Sequence, residues 1–248
     1  MAALEGASPP LSTHVVPAIS ARRLERRFGA VRALRGVEME ISRGSTVALF
    51  GSNGAGKTTL LRVLAGLLRP TAGEAHILGS PLPGDAGLRR RIGVLGHESF
   101  LYGDLTGAEN LTYYARLYDI REPARVDDLL AQLGLREAAD RPARTYSRGM
   151  IQRLSLARAI IHDPELLLLD EPFTGLDPTG SNLLQDFLAR LRSRGVTVFM
   201  TTHDFDRGLA AADVAIMLHK GRVAWRSDDI LPKPDAMRGI FERIASSS

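Results

Sequence analysis

The sequence predicts an α/β fold: a buried parallel sheet, joined by an antiparallel β subdomain and interrupted by a helical insert. Three observations carry this reading. Thr46–Phe50 is a short apolar run that ends in the glycine-rich stretch Gly51-Ser52-Asn53-Gly54-Ala55-Gly56-Lys57-Thr58-Thr59. Leu166–Leu169 is a second apolar run, stopped by Asp170, as expected of a strand covered on both faces. Between them, from about Leu101 to Ile161, the apolar spacing turns helical.

The elements follow in order. Residues 1–18 are rich in Ala, Ser and Pro and lack a basic n-region and an apolar h-region, so they are expected to form a loose extension and not a secretory signal. Ala18–Arg26 and Val37–Ile41 alternate as antiparallel strands do, with a turn at Phe28-Gly29. Thr46–Phe50 is the central strand, and Thr59–Leu64 begins a helix. Ala75–Leu78 and Arg91–Leu95 read as further strands, separated by a Gly- and Pro-rich loop over 79–87. In the insert, Thr106-Gly107-Ala108-Glu109 is a capping box. Val126–Leu133 has helical spacing and ends at Gly134, a C-cap. Val196–Thr201 matches Leu166–Leu169 as a buried strand, and Ala215–Leu218 with Arg222–Trp225 form a hairpin about Lys220-Gly221. The expected organisation is one domain over 19–230, with the insert at about 97–161 and a tail at 231–248.

Composition sets limits on function. With 248 residues, 44% apolar and 24% charged, the chain suits one large globular domain. It has no cysteine, which excludes disulfides, thiol catalysis and cysteine-bound metal. No apolar run is long enough to span a bilayer. Between Arg22 and Arg43, seven arginines face three glutamates; this run reads as a solvated strand face, and no nucleic-acid partner is expected from it.

The glycine-rich stretch fits G-x-x-x-x-G-K-[ST], which wraps backbone N–H groups around nucleotide phosphates. Its strand–loop–helix setting is the one the motif needs. Gly51, Gly54 and Gly56 allow positive φ, and the helix N-terminus aims its dipole at the anion. Lys57 is placed to reach the β- and γ-phosphates and the Thr58 hydroxyl to ligate Mg²⁺; Ser52, Asn53, Ala55 and Thr59 complete the nucleotide-lining loop. Asp170-Glu171-Pro172 puts two carboxylates at the C-terminal end of a buried strand, the edge where α/β sheets bind ligands. Asp170 is the expected magnesium carboxylate and Glu171 the group that orients and deprotonates an attacking water. Ser147 opens a helix, and the N–H groups near Gly149 offer a second anion site.

With these motifs in place, the chain resembles the ATPase subunit of ABC transporters from about Ile19 to Trp225. The resemblance is carried by the phosphate loop, the Tyr146–Met150 signature, the Leu166–Pro172 strand, Gly175-Leu176-Asp177 and Thr201-Thr202-His203. It implies a P-loop nucleoside triphosphate hydrolase core with ATP and Mg²⁺ as cofactors. It also implies that His203 contacts the γ-phosphate and that Phe28, which alone would read as core, stacks on adenine. The site it implies is shared by two subunits: ATP on one phosphate loop is closed by Ser147 and Gly149 of a second copy, with Asp177 across the interface. The partner it implies is an integral-membrane permease, which would hold the chain at the cytoplasmic face of the inner membrane. A soluble cassette acting on ribosomes or DNA is the alternative, but the chain lacks the coiled coils and cysteines of such relatives.

Two departures stand out. The family signature Leu-Ser-Gly-Gly-Gln is here Tyr146-Ser147-Arg148-Gly149-Met150. At the position of a glutamine near magnesium and the attacking water stands His97, followed by Glu98. Imidazole both donates and accepts hydrogen bonds and titrates near neutral pH, so His97 is a catalytic candidate that makes activity pH-sensitive. All five tyrosines fall in the helical insert, where the family grips its permease. Tyr113, Leu117 and Tyr118 read as the insert's own apolar face, and Phe100–Tyr102 as docking residues. The Leu95–Glu98 loop and the Tyr102–Asn110 pattern are most similar to the haem-exporter ATPase of cytochrome c maturation, although cassettes exporting drugs, lipids or polysaccharides share much of both.

Overall fold

The computed structural model describes residues 16–227 and 230–246, so most of the expected N-terminal extension lies outside the described residues. Among them, ten strands form two sheets. The smaller holds β1 (Ile19–Phe28), β2 (Val31–Ile41), β4 (Ala72–Ile77) and β5 (Ser80–Pro81) in the antiparallel order β2-β1-β4-β5. The larger runs β10-β9-β3-β8-β7-β6. Its strands are β3 (Thr46–Phe50), β6 (Ile92–Leu95), β7 (Leu166–Asp170), β8 (Thr197–Thr201), β9 (Val214–His219) and β10 (Arg222–Arg226). All its pairings are parallel except that of the edge strand β10.

Every residue of β3, β7 and β8 is buried, because each face of this sheet is covered. Side chains alternate between the faces with the strand's period of two. Val47 and Leu49 enter one core with Leu60, Leu61 and Leu64 of α1 (Lys57–Leu64) and with the small sheet. Ala48 and Phe50 enter the other, among the remaining helices. These are α3 (Gly107–Leu117), α4 (Pro123–Gln132), α5 (Arg148–Ile160), α6 (Pro178–Ser193), α7 (Phe205–Ala211) and α8 (Pro234–Ser246); the short α2 (Ala86–Arg89) lies in the Gly/Pro-rich loop.

Local chemistry explains the boundaries. The Thr106 side chain accepts from the Glu109 N–H while Glu109 accepts from the Thr106 N–H, the expected capping box. Gly134 has φ 64° and follows α4, as its C-cap role requires. The β9–β10 turn has positive φ at both Lys220 (47°) and Gly221 (78°), the type I′ geometry of two-residue hairpins. Some boundaries differ from the sequence reading. β1 continues through Phe28 and β2 starts at Val31, before the expected Val37, because pairing with β1 continues through the arginine-rich segment. The first helix starts at Lys57, and helical structure in the insert starts at Gly107, after an irregular loop. The expected tail holds α8, anchored by the fully buried Met237. No helix among the described residues is long and apolar enough to cross a membrane.

Candidate functional site

The register of the large sheet builds the site. Leu49 lies opposite Thr201, Asp170 opposite Thr201, and Leu95 opposite Leu169. The chain therefore leaves β3 into the phosphate loop, β7 into Glu171, β8 into His203 and β6 into His97 at one common edge, the C-terminal edge of parallel strands.

The phosphate loop folds against its neighbours so closely that side chains are excluded at two positions. Gly56 has φ 106°, and a Cβ there would lie 2.6 Å from the Ala33 carbonyl oxygen. At Gly51 (φ 155°) it would lie 2.4 Å from the Leu218 carbonyl oxygen. Ala33 belongs to β2, so the hairpin that ends β1 at Phe28 abuts the loop. Phe28 itself is 46% exposed, with the Arg26 guanidinium 4.6 Å from its ring centre. No side chain caps the α1 N-terminus and no acid stands in its first turn, so its dipole is free to act on an anion.

Lys57 is buried, and its ammonium donates to the carbonyls of Gly51 at 2.7 Å and Ser52 at 3.3 Å. Burial pushes its pKa down, while Glu171 and Asp170 pull it back up. Around Asp170 two hydroxyls converge on Oδ1: Thr201 donates at 2.6 Å and Thr58 at 3.3 Å. A carboxylate beside a hydroxyl is the oxygen-only donor set that Mg²⁺ accepts together with substrate phosphates. Among the described residues no group of three or more His, Cys, Asp or Glu could hold a metal by itself.

Glu171 Oε2 lies 2.8 Å from His203 Nδ1. An ionised carboxylate only accepts, so Nδ1 carries the proton in that pair. The Glu171 backbone has φ 52°, a left-handed conformation that costs a non-glycine residue roughly 1–2 kcal/mol. Its N–H donates to the Thr201 carbonyl and hydroxyl, each at 3.1 Å. From α5, the Gln152 amide donates to the carbonyls of Glu171 at 3.4 Å and Pro172 at 3.1 Å. The sequence assigns no role of their own to Thr201 and Gln152: Thr201 stands at a strand end in the stretch Thr201-Thr202-His203, and no spacing ties Gln152 to a residue of another element.

Ser147, Gly149 and Asp177 form a second cluster. Ser147 caps α5 by accepting from the Met150 N–H at 3.3 Å, so one of the N–H groups expected to be free is taken. Asp177 caps α6 by accepting from the Gly180 N–H at 2.7 Å. The two helix starts touch: a Cβ on Gly149 would lie 3.2 Å from the Gly175 carbonyl oxygen, and one on Gly175 would meet the Arg148 side chain at 2.9 Å. Among the described residues, neither the Ser147 nor the Asp177 side chain bonds to the first cluster. His97 is exposed in the bend after β6. Nearby, Asn110 of α3 bonds both ways with the backbone of Tyr102, and Phe100 and Tyr102 are 52% and 48% exposed.

Comparison with known proteins agrees with this geometry. Residues 34–174 match the ABC transporter family. The ABC transporter ATP-binding protein NatA of Bacillus subtilis is 40% identical over 83% of this chain and 85% of its own length. The daunorubicin resistance ATP-binding protein DrrA3 of Streptomyces coeruleorubidus is 40% identical over 83% of this chain and 66% of its own length. Among solved structures, a dimeric post-hydrolysis state of the ATP-binding cassette MJ0796 bound to ADP and Pi superposes with a TM-score of 0.78, at 25% identity over 86% of this chain and all of that one. The chain belongs to the ABC transporter family, as an ATP-binding subunit that hydrolyses ATP.

Proposed function

We propose that two copies of this chain close head-to-tail on Mg-ATP and that hydrolysis reopens them to drive a separate integral-membrane exporter. The observation that carries this reading is the division of polar groups into two clusters: one holds a base, a cation and a carboxylate–hydroxyl pair, the other two capped helix starts whose side chains bond within their own helices. The dimeric state of the relative bound to ADP and Pi supports the same arrangement. In this reading Lys57 and the loop from Gly51 to Thr59 bind the phosphates, and Thr58 and Asp170 hold Mg²⁺, which neutralises phosphate charge. Glu171 takes the proton of the attacking water, and His203, hydrogen-bonded to it, orients that carboxylate toward the γ-phosphate. Ser147 and Gly149 of the second copy close over the nucleotide, Asp177 lies at the seam, Phe28 stacks on adenine, and His97 reaches the water from the β6 loop. Phe100 and Tyr102 dock on the permease, which keeps the chain peripheral at the cytoplasmic face of the membrane.

For cargo, export of drugs, lipids or polysaccharides is the reading kept; a relative named for daunorubicin resistance supports a drug, and one named for Nod factor export supports an exporter. The haem cargo expected from the Leu95–Glu98 loop draws no support from these names. The deciding experiment is copurification of the permease from membranes followed by light scattering of Glu171→Gln with saturating Mg-ATP. A dimer and a membrane partner are expected. A monomer would overturn the shared site, and loss of c-type cytochromes on deletion would restore the haem reading. Equal activity of wild type and His97→Gln across about pH 6 to 8 would remove His97 from the site.

A further inference from the structure

The residues after β10 enter neither the nucleotide chemistry nor the expected dimer, yet α8 returns to the site. A cavity of about 300 Å³ is lined by Gly51, Ser52, Asn53, His203, Phe205 and Phe241. Five of these belong to the phosphate loop, to His203 or to the helix that follows His203; the sixth comes from α8. Phe241 meets the Phe205 ring at 5.8 Å, edge-on, and Phe205 meets Phe50 at 5.2 Å. Phe50 is the last residue of β3, directly before Gly51. Three rings thus link α8, the start of α7 and the root of the phosphate loop. A second tie runs along the surface, where Arg238 of α8 donates to Asp206 of α7 and to Asp235, each at 2.6 Å. On the same helix, Met237 is fully buried in the core.

His203 needs such support. Its side chain is 70% exposed, and its one polar partner among the described residues is Glu171. The backbone that carries it is fixed on one side by β8 and on the other by α7, whose first residues are Asp204 as N-cap and Phe205. The inner side of α7 lies against the sheet: a side chain at Gly208 would meet the Phe50 ring at 2.7 Å. On its outer side, Phe205 and Asp206 are held by α8. Edge-on aromatic contacts and a two-carboxylate arginine bridge are directional, so they fix the rotation of α7 as well as covering it.

We propose that α8 is a positioning element of the ATP site: Phe241 on Phe205 and Arg238 on Asp206 set α7, and through it the place of His203 beside the phosphate loop. Neither Phe241 nor Arg238 touches the reacting atoms. This rests on the hydrolytic reading: a wild-type chain without ATPase activity would fail that reading and this one with it, whereas an active wild type whose variants are unaffected would fail this one alone. The test is steady-state ATP hydrolysis by the full-length chain. In Phe241→Ala, kcat falls at least about fivefold while KM for ATP stays within about twofold, since the phosphate loop is intact; Phe241→Tyr, which keeps the ring, recovers kcat. Arg238→Gln and Asp206→Asn each lower kcat about two- to threefold, and the double variant is no worse than either, as for one shared interaction. These surface changes leave the fold standing if Phe241→Ala does not. Unchanged kcat in all of them, additive losses at Arg238 and Asp206, or a rise in KM with kcat intact would overturn the proposal.

Discussion

At the phosphate end of the chain, Lys57, Thr58, Asp170, Glu171, Thr201 and His203 are drawn together from α1, β7, β8 and the turns after them, and most of their bonds cross between elements. At the other end, Ser147 and Asp177 each bond to an N–H three residues ahead in their own helix. The first arrangement exists only if the sheet is in register. The second would form in any helix that begins with those residues. Removing a group from the first cluster should therefore cost catalysis or disturb several elements, and removing one from the second should cost little in the isolated chain.

The largest effect separates rate from stability. Glu171→Gln is expected to lower ATP hydrolysis by roughly 10²–10⁴-fold, the range for loss of a general base, with the thermal midpoint of the nucleotide-free chain close to wild type. A small loss of rate would move the base elsewhere.

A pH effect on stability of comparable weight should come from outside both clusters. His162 stacks on Tyr118 with ring centres 4.0 Å apart, and burial lowers its pKa to about 4. The folded chain keeps it neutral while the unfolded chain protonates it below its ordinary pKa of about 6.5. Stability is therefore complete above that value, declines as pH falls toward 4, and loses no more from this group below it. The loss is on the order of 2–3 kcal/mol. Urea unfolding of His162→Phe, which keeps the stack, should show a flatter pH profile; an unchanged profile would assign the slope to other groups.

Thr201→Val tests the cross-element bonds directly. It removes the shorter of the two hydroxyl bonds to Asp170 Oδ1, leaving that of Thr58, and one hydrogen bond of the Glu171 N–H, and loss of such buried pairing costs about 1–3 kcal/mol. Both the unfolding midpoint and hydrolysis should fall, a coupling that the second cluster lacks. The smallest changes are expected from Ser147→Ala and Asp177→Ala, about 1 kcal/mol each as lost helix caps. ATP binding by the isolated chain should hold, measured by nucleotide titration; a large drop in that affinity would merge the two clusters into one site.

Much of this was legible in the sequence because the relevant interactions are local or periodic. The phosphate loop, the all-apolar strands at Thr46–Phe50 and Leu166–Leu169, the capping box at Thr106–Glu109 and the Lys220-Gly221 turn all depend on residues within a few positions of one another. Where long-range pairing decides, reading failed or fell short. β2 runs further toward its N-terminus than its own alternation suggests because β1 pairs with it. Thr201 and Gln152 gained roles only when β8 and α5 came beside Asp170-Glu171. The residues after 230 read as a tail, whereas their helix packs through Met237 and Phe241 against elements distant in sequence.

By itself, then, the sequence determined the chemistry: an anion loop, a carboxylate pair at a strand end and a serine-capped helix, each specified by side-chain type and short spacing. The tertiary structure decided which of these groups meet. Register brings Thr201 to Asp170 and the β8 turn brings His203 to Glu171, whereas Ser147 and Asp177 remain bonded within their own helices. The reason is that a cap closes over three residues of one chain segment, while a site across strands forms only after the sheet has fixed four of them side by side.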